Sequence, residues 1–301
     1  MATRGETATV SSVPARGTRA PRTYWRDMVR SFRRNPAGMV GLALVVLFLL
    51  AAAWGAFGSP ADMNRSRLAD RLQPPGGAHL LGTDGFGRDI LARVLGGAPL
   101  ALAVGVVSVA GGGLVGCTLG LLAGYYRGKV GMVIMRVIDA MLAFPTLLLA
   151  LAIMATLGPG LLNVMIAVGF STLPRFARMM QAEVLAIGER EYVNAARAVG
   201  APARAILLRH ILPNAVSSVL VMATLYISTA ILAEATLSFL GLGPRPPTPT
   251  WGSMINDGSS VLQNAPWVVL FPGLAITLTV LGFSLVGDGL RDALDTRLRE
   301  R

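Results

Sequence analysis

The sequence predicts an all-α, polytopic membrane protein with about six transmembrane helices. Three observations carry this. Of 301 residues, 53% are hydrophobic and 14% charged, more apolar surface than one soluble core hides. Six apolar runs are each about as long as a bilayer crossing needs. The basic residues, Arg175 and Arg178 apart, fall between those runs rather than among them.

The runs cover roughly 37–57, 98–123, 137–157, 161–181, 214–236 and 267–287. The fourth is the weakest. Its clean part ends at Leu173, and Pro174, Arg175 and Arg178 follow, so it spans only if those arginines snorkel to the headgroups. The first run is longer than a signal-peptide core and more spans follow it, which favours an uncleaved span. Residues 1–21 are rich in Ala, Thr, Arg, Ser and Pro and read as a disordered tail. In segment 22–36, Trp25, Met28, Val29 and Phe32 recur at helical spacing among arginines. This fits a basic helix lying on lipid, or equally a plain juxtamembrane basic segment. Residues 37–301 form the membrane domain, with a polar segment at 182–213.

The net charge of +11 does not imply nucleic acid, because its placement is that of membrane loops. Eight arginines precede the first span, three basic residues follow the second, six arginines follow the fourth and four follow the last, against six in the alternate loops. The positive-inside rule then places both termini and segment 182–213 in the cytoplasm. Cys117 is the one cysteine; it stands in an apolar run and reads as a small buried hydrophobe. Gly112, Gly116, Gly120 and Gly124, four apart, form a small stripe for close helix packing.

The most informative stretch runs from Gly188 to Asn214, GEREYVNAARAVGAPARAILLRHILPN. Two short helices joined by a turn fit it. Tyr192, Ala195, Ala196 and Val199 share a face of the first, Gly200 can end it in the left-handed region, and Pro202 suits the start of the next. Pro213 marks entry to the fifth span. Arg190, Arg197 and Arg204 form a basic stripe if helical character persists across them.

This stretch resembles the cytoplasmic EAA loop of bacterial ABC importer permeases: Glu-Ala-Ala, three residues, Gly, nine residues, Ile-x-Leu-Pro. Ala195, Ala196, Gly200, Leu212 and Pro213 match in register; Asn194 stands where Glu is usual, and His210 where Ile is usual. HLLGTDGFGRDILARVL from His79, ATLSFLGLGPRPPTPTWGSMI from Ala235 and FPGLAITLTVLGFSLVGDGLRDALDTRLR from Phe271 are similar to the C-type permease of the dipeptide, oligopeptide and nickel branch. Ser284 and Thr296 depart from the usual Asn and Pro. The resemblance covers about residues 25–300.

It implies a type I importer permease fold in a bacterial inner membrane. It also implies a homologous second permease, two ABC ATPases carrying ATP and Mg, and an extracytoplasmic binding protein. Glu191, Tyr192, Asn194, Ala195, Ala196, Arg197, Gly200, Arg204, Leu212 and Pro213 become the expected ATPase-coupling residues. Gly82, Thr83, Asp84, Gly87, Arg88 and Asp89 become an external motif, more simply a tight turn with Asp–Arg pairing than a calcium loop. His79 and His210 lie on opposite sides of this topology, which argues against a shared metal. Asp139 and Glu234 are acidic groups near membrane depth, open to a functional or a packing role. Asp288, Arg291, Asp292 and Asp295 read as a cap or subunit contact.

The sequence shows no nucleophile–base constellation, zinc motif or phosphate-cradling loop. An intramembrane enzyme would need convergent catalytic side chains. A self-sufficient channel or secondary transporter leaves segment 182–213 unexplained. The cargo is not legible.

Overall fold

A computed structural model describes residues 21–57 and 63–295. The expected tail, Thr296 and the last arginines lie outside them. Helix α1 spans Pro21–Arg34 and α2 Pro36–Phe57. Asn35 starts α2: its Oδ1 accepts from Gly38 N at 3.1 Å, while its Nδ2 donates to Asp292 at 3.0 Å. The acidic group after the last span thus ties the two ends of the chain together.

After a short 3₁₀ turn at Leu68–Asp70, α3 runs Ile90–Tyr125, eight residues longer at its start than the apolar run. Asp89 explains the extension, its carboxylate accepting from Ala92 N at 2.9 Å. Then come α4 (Lys129–Leu142), α5 (Thr146–Leu157), α6 (Leu161–Gly188), α7 (Glu191–Ala198), α8 (Ala203–Phe239), α9 (Trp251–Ser259) and α10 (Trp267–Asp295). Among the described residues there is no strand, only an isolated bridge between Thr83 and Asp89.

Helices α2, α3, α8 and α10 are long and apolar enough to cross a membrane. The third predicted span is not one continuous helix. It breaks between α4 and α5 with a 91° bend, so the pair counts as a fifth crossing only if taken together. Pro145 is the cause: it lacks the donor that would continue the ladder, and it disfavours helix at Phe144. Helix α6 has 28 residues, the length of a crossing, but its central arginines keep it out of the apolar set.

The glycine stripe sets how α3 meets α6. A Cβ on Gly112, Gly116 or Gly120 would fall 2.2, 2.4 or 2.2 Å from the carbonyl oxygens of Gly169, Leu173 and Ala177, and one on Gly124 2.7 Å from Val184 Cβ. The two backbones touch at four successive positions, over about three turns, because no side chain stands between them. Elsewhere Gly41 and Gly282 admit α2 to α10, and Gly287 receives Leu225 of α8. Phe48, Trp251 and Phe283 meet edge-on at 5.9 Å in the core beneath α9.

Candidate functional site

Three places hold the polar chemistry: the α6–α8 turn at one end of the bundle, the 79–93 loop with α9 at the other, and a pair of arginines between them.

At the first end α7 forms as predicted. Val193 is its anchor, fully buried among Met180, Val184, Ile187, Ile206 and Ile211. Tyr192, Ala195 and Val199 face outward, Val199 at 85% exposure, and Ala196 is half-buried beside them. Gly200 takes φ +79°, Ala201 N donates to Ala196 O at 3.0 Å, and Gly200 N to Arg197 O at 3.0 Å. That hydrogen-bond pair is a Schellman cap, the left-handed stop expected from the glycine.

Two expectations fail here. The second short helix is not separate: the chain is helical without interruption from Ala203 to Phe239, through a π segment at Ile206–Ile211. Pro213 has no donor for the carbonyl four residues back, and the widened turn accommodates it. The basic stripe does not form either. The left-handed Gly200 breaks the register, and Arg197 turns back to donate to Gly188 O at 3.1 Å and Asn194 Oδ1 at 3.2 Å. Asn194 donates in turn to Glu189 O at 3.3 Å. Its position, where the resembled loop has Glu, is a tether between α6 and α7. Arg190, Glu191 and Arg204 remain exposed, Leu212 joins the cluster around Val193, and Pro213 sits in the first turn of the α segment Leu212–Phe239. His210 lies beside Tyr192, ring centroids 6.1 Å apart.

The pairing of Arg127 with Glu189 at 2.5 Å was not foreseen; it ties the α3–α4 turn to the start of this segment. The hydrogen bond from Arg127, then its charge, hold the Glu189 carboxyl below its ordinary range. The contact is therefore present at neutral pH and lost only as pH falls through that lowered value.

At the opposite end Thr83 and Asp84 are buried. Thr83 Oγ1 donates to Asp70 O and accepts from Gln73 N at 2.8 Å. Asp84 accepts from Phe86 N at 2.8 Å, Arg88 N at 3.0 Å and Arg88 Nε at 2.6 Å, with Arg93 Nε at 3.8 Å. Its oxygens are engaged by these donors, which is the tight-turn reading. Gly82 and Gly87 have positive φ, and a Cβ on Gly87 would overlap Arg67 O at 1.9 Å. Arg88 also reaches Asp257 of α9 at 3.6 Å, and Trp251 donates to Val94 O at 2.8 Å, so loop and α9 are one unit. Asp89 pairs with His79 at 2.8 Å, in a cluster separate from that of His210.

Between the ends, the α6 arginines have partners on neighbouring helices. Arg178 pairs with Asp139 of α4. Arg175 donates to Tyr226 Oη of α8 at 3.2 Å and to Thr146 Oγ1 of α5 at 2.9 Å. Glu234 is buried and accepts from Ser238 at 2.6 Å, a packing arrangement within α8.

The family model for the inner membrane component of binding-protein-dependent transport systems matches residues 116–300, and that for the N-terminal transmembrane domain of oligopeptide transport permease C matches 23–75. The chain belongs to this permease family. The permease is 45% identical over 275 residues to the dipeptide transport system permease protein DppC of Alkalihalophilus pseudofirmus, covering 91% of this chain and 90% of that one. It is 44% identical over 293 residues to the glutathione transport system permease protein GsiD of Pectobacterium atrosepticum, covering 97% of each. Its fold is that of a solved MetNI methionine ABC transporter chain, with TM-score 0.57 and 20% identity over 67% of this chain and 96% of that one. The permease is thus a multi-pass inner-membrane transport subunit with the type I importer fold, and not itself an enzyme.

Proposed function

We propose that the permease is one of two homologous membrane subunits of an ATP-driven peptide importer, with ATP and Mg held by two separate ABC ATPases and cargo delivered by an extracytoplasmic binding protein. The observation that carries this reading is the outward face of α7. Tyr192, Ala195 and Val199 offer a small, partly apolar surface to a partner, while Val193 locks the same helix to α8. A partner gripping that face moves a helix that continues to the far end of the bundle. The 79–93 loop and α9 are the surface for the binding protein. Cargo of the peptide class follows from the named transport of the relatives. Termini and α7 are cytoplasmic, from the charge asymmetry.

Reconstitution tests this. With all partners in proteoliposomes, peptide uptake is expected to require ATP and the binding protein; uptake by the permease alone would overturn the reading. Topology has its own check. In a Cys117→Ser background, Ser259→Cys is expected to react with a membrane-impermeant reagent in intact cells, and Lys129→Cys only after permeabilisation. Both positions are exposed. The reverse pattern would invert the orientation.

A further inference from the structure

Arg175 is the 15th of 28 residues in α6. At about 1.5 Å per residue, either end of the helix is about 20 Å away, and a bilayer core is about 30 Å thick. The residue falls within the predicted fourth span, 161–181, yet it is exposed. Its neighbour one turn on, Arg178, is neutralised by Asp139. Arg175 is not. Its two partners are hydroxyls, Tyr226 Oη and Thr146 Oγ1, and among the described residues no carboxylate lies within ion-pair distance. The Tyr226 ring also flanks it, 5.8 Å from the guanidinium carbon, and is itself seated against Phe176. The side chain is held in position, its charge is unmatched, and donors remain free.

Lipid is a poor neighbour for such a group, because an unmatched charge at mid-bilayer is costly unless it faces a water-filled cavity or a counter-charge. A second observation fits the cavity. From Arg175 to the end of α6, the exposed positions are 175, 178, 182, 185 and 186, which with Glu189 just beyond the helix share one face. They are Arg, Arg, Ala, Leu, Ala and Glu, and three charges among six are too many for a lipid-facing stripe.

We propose that this face lines the translocation path and that Arg175, oriented by Thr146 and Tyr226, is a cargo-contacting residue that receives a peptide carboxylate within the membrane. This rests on the peptide-import reading above. A peptide's terminal carboxylate is planar and accepts two parallel N–H bonds, the geometry a guanidinium supplies. The contact is releasable by design of the fold. Tyr226 belongs to the same uninterrupted helix that packs under α7, so displacement of α7 reaches one of the two groups that orient Arg175.

The test uses the complete importer in proteoliposomes and compares a dipeptide with its C-terminal amide. Because the binding protein is unchanged between variants, the ratio of variant to parent uptake for each peptide isolates the permease. Arg175→Gln is expected to lower uptake of the free acid by about tenfold or more, the scale of a charge-assisted bond, and that of the amide by less than about twofold. Assembly and binding-protein-stimulated hydrolysis should persist. In a second arm, Arg175→Cys in the Cys117→Ser background is treated with aminoethyl or sulfonatoethyl methanethiosulfonate. Both should react, and only the cationic adduct should restore acid uptake. This arm decides the matter if the parent transports no amide. Equal loss for acid and amide, no reaction at position 175, or loss of permease pairing in Arg175→Gln would overturn the proposal; the last would assign the arginine to an acid of the companion subunit. An unmodified importer that takes up no peptide strikes the peptide reading itself, which the failure of Arg175 alone would leave standing.

Discussion

Gly120→Leu is expected to prevent accumulation of folded permease, while Gly111→Leu, about two and a half turns away on the same helix, is expected to leave it unchanged. A Cβ at position 120 would stand 2.2 Å from Ala177 O and 2.9 Å from Met180 Cβ. Both neighbours belong to a helix whose backbone cannot yield locally. The rest of a leucine would have to enter the same gap, so α3 and α6 must separate and give up the close contacts at Gly112, Gly116 and Gly124 as well. Overpacking one core position costs about 1–3 kcal/mol, and here the strain is shared by a whole interface. At Gly111 nothing lies within 4 Å of the added Cβ. The same change in helix propensity, hydrophobicity and insertion tendency therefore serves as the control. The readouts are the amount of inserted protein and its thermal unfolding in detergent. Equal levels for the two variants would mean that the α3–α6 contact does not hold the fold.

Gly200→Val and Ala196→Trp are expected to leave a correctly inserted permease that no longer couples hydrolysis to uptake. The two act differently. No atom lies within 4 Å of a Cβ on Gly200, so valine meets no clash there; its penalty is the positive φ of +79°, about 1–2 kcal/mol for a left-handed residue and more for a β-branched one. The Schellman cap loosens and α7 loses its fixed angle to α8. Gly200→Asn, which tolerates that conformation, should retain most uptake. Ala196→Trp keeps the cap and places a large ring on the half-exposed face offered to the partner. Arg197→Glu reports on the tether to Gly188 and Asn194 rather than on a free basic stripe, and should resemble Gly200→Val in a milder form. Co-purification with the ATPases, stimulated hydrolysis and uptake separate these outcomes. Normal values for both Ala196→Trp and Gly200→Val would remove α7 from the coupling role.

What could be read in advance was what local chemistry determines. A four-residue glycine period means one helix face whatever surrounds it, and it marked the closely packing face of α3 without naming α6 as its partner. Gly200 before Pro202 announced a helix stop, and Thr83-Asp84-Gly85 a tight turn. The misses have a common physical origin. A hydropathy run carries no direction, so 137–157 looked like one span although Pro145 turns it through 91°. Pro213 looked like a boundary, yet a π segment carries the helix past it. The arginines of α6 looked like interfacial anchors because their partners, Asp139, Thr146 and Tyr226, lie 29 to 51 residues away along the chain. Such pairings are properties of the assembled bundle, and no window of sequence contains them.

The unbroken helix from Ala203 to Phe239 has a further consequence. Its 37 residues make a rod about 55 Å long. Near its middle, Leu225 is pressed against Gly287 of α10, where an added Cβ would stand only 2.5 Å from the leucine side chain. At its far end, Ala235 bears on Gly252 of α9, with no room for a methyl group between them. A rod held at its centre in this way would, moving as one body, carry its two tips in opposite senses. On the import reading proposed above, that arrangement opposes simultaneous opening at the two faces of the membrane.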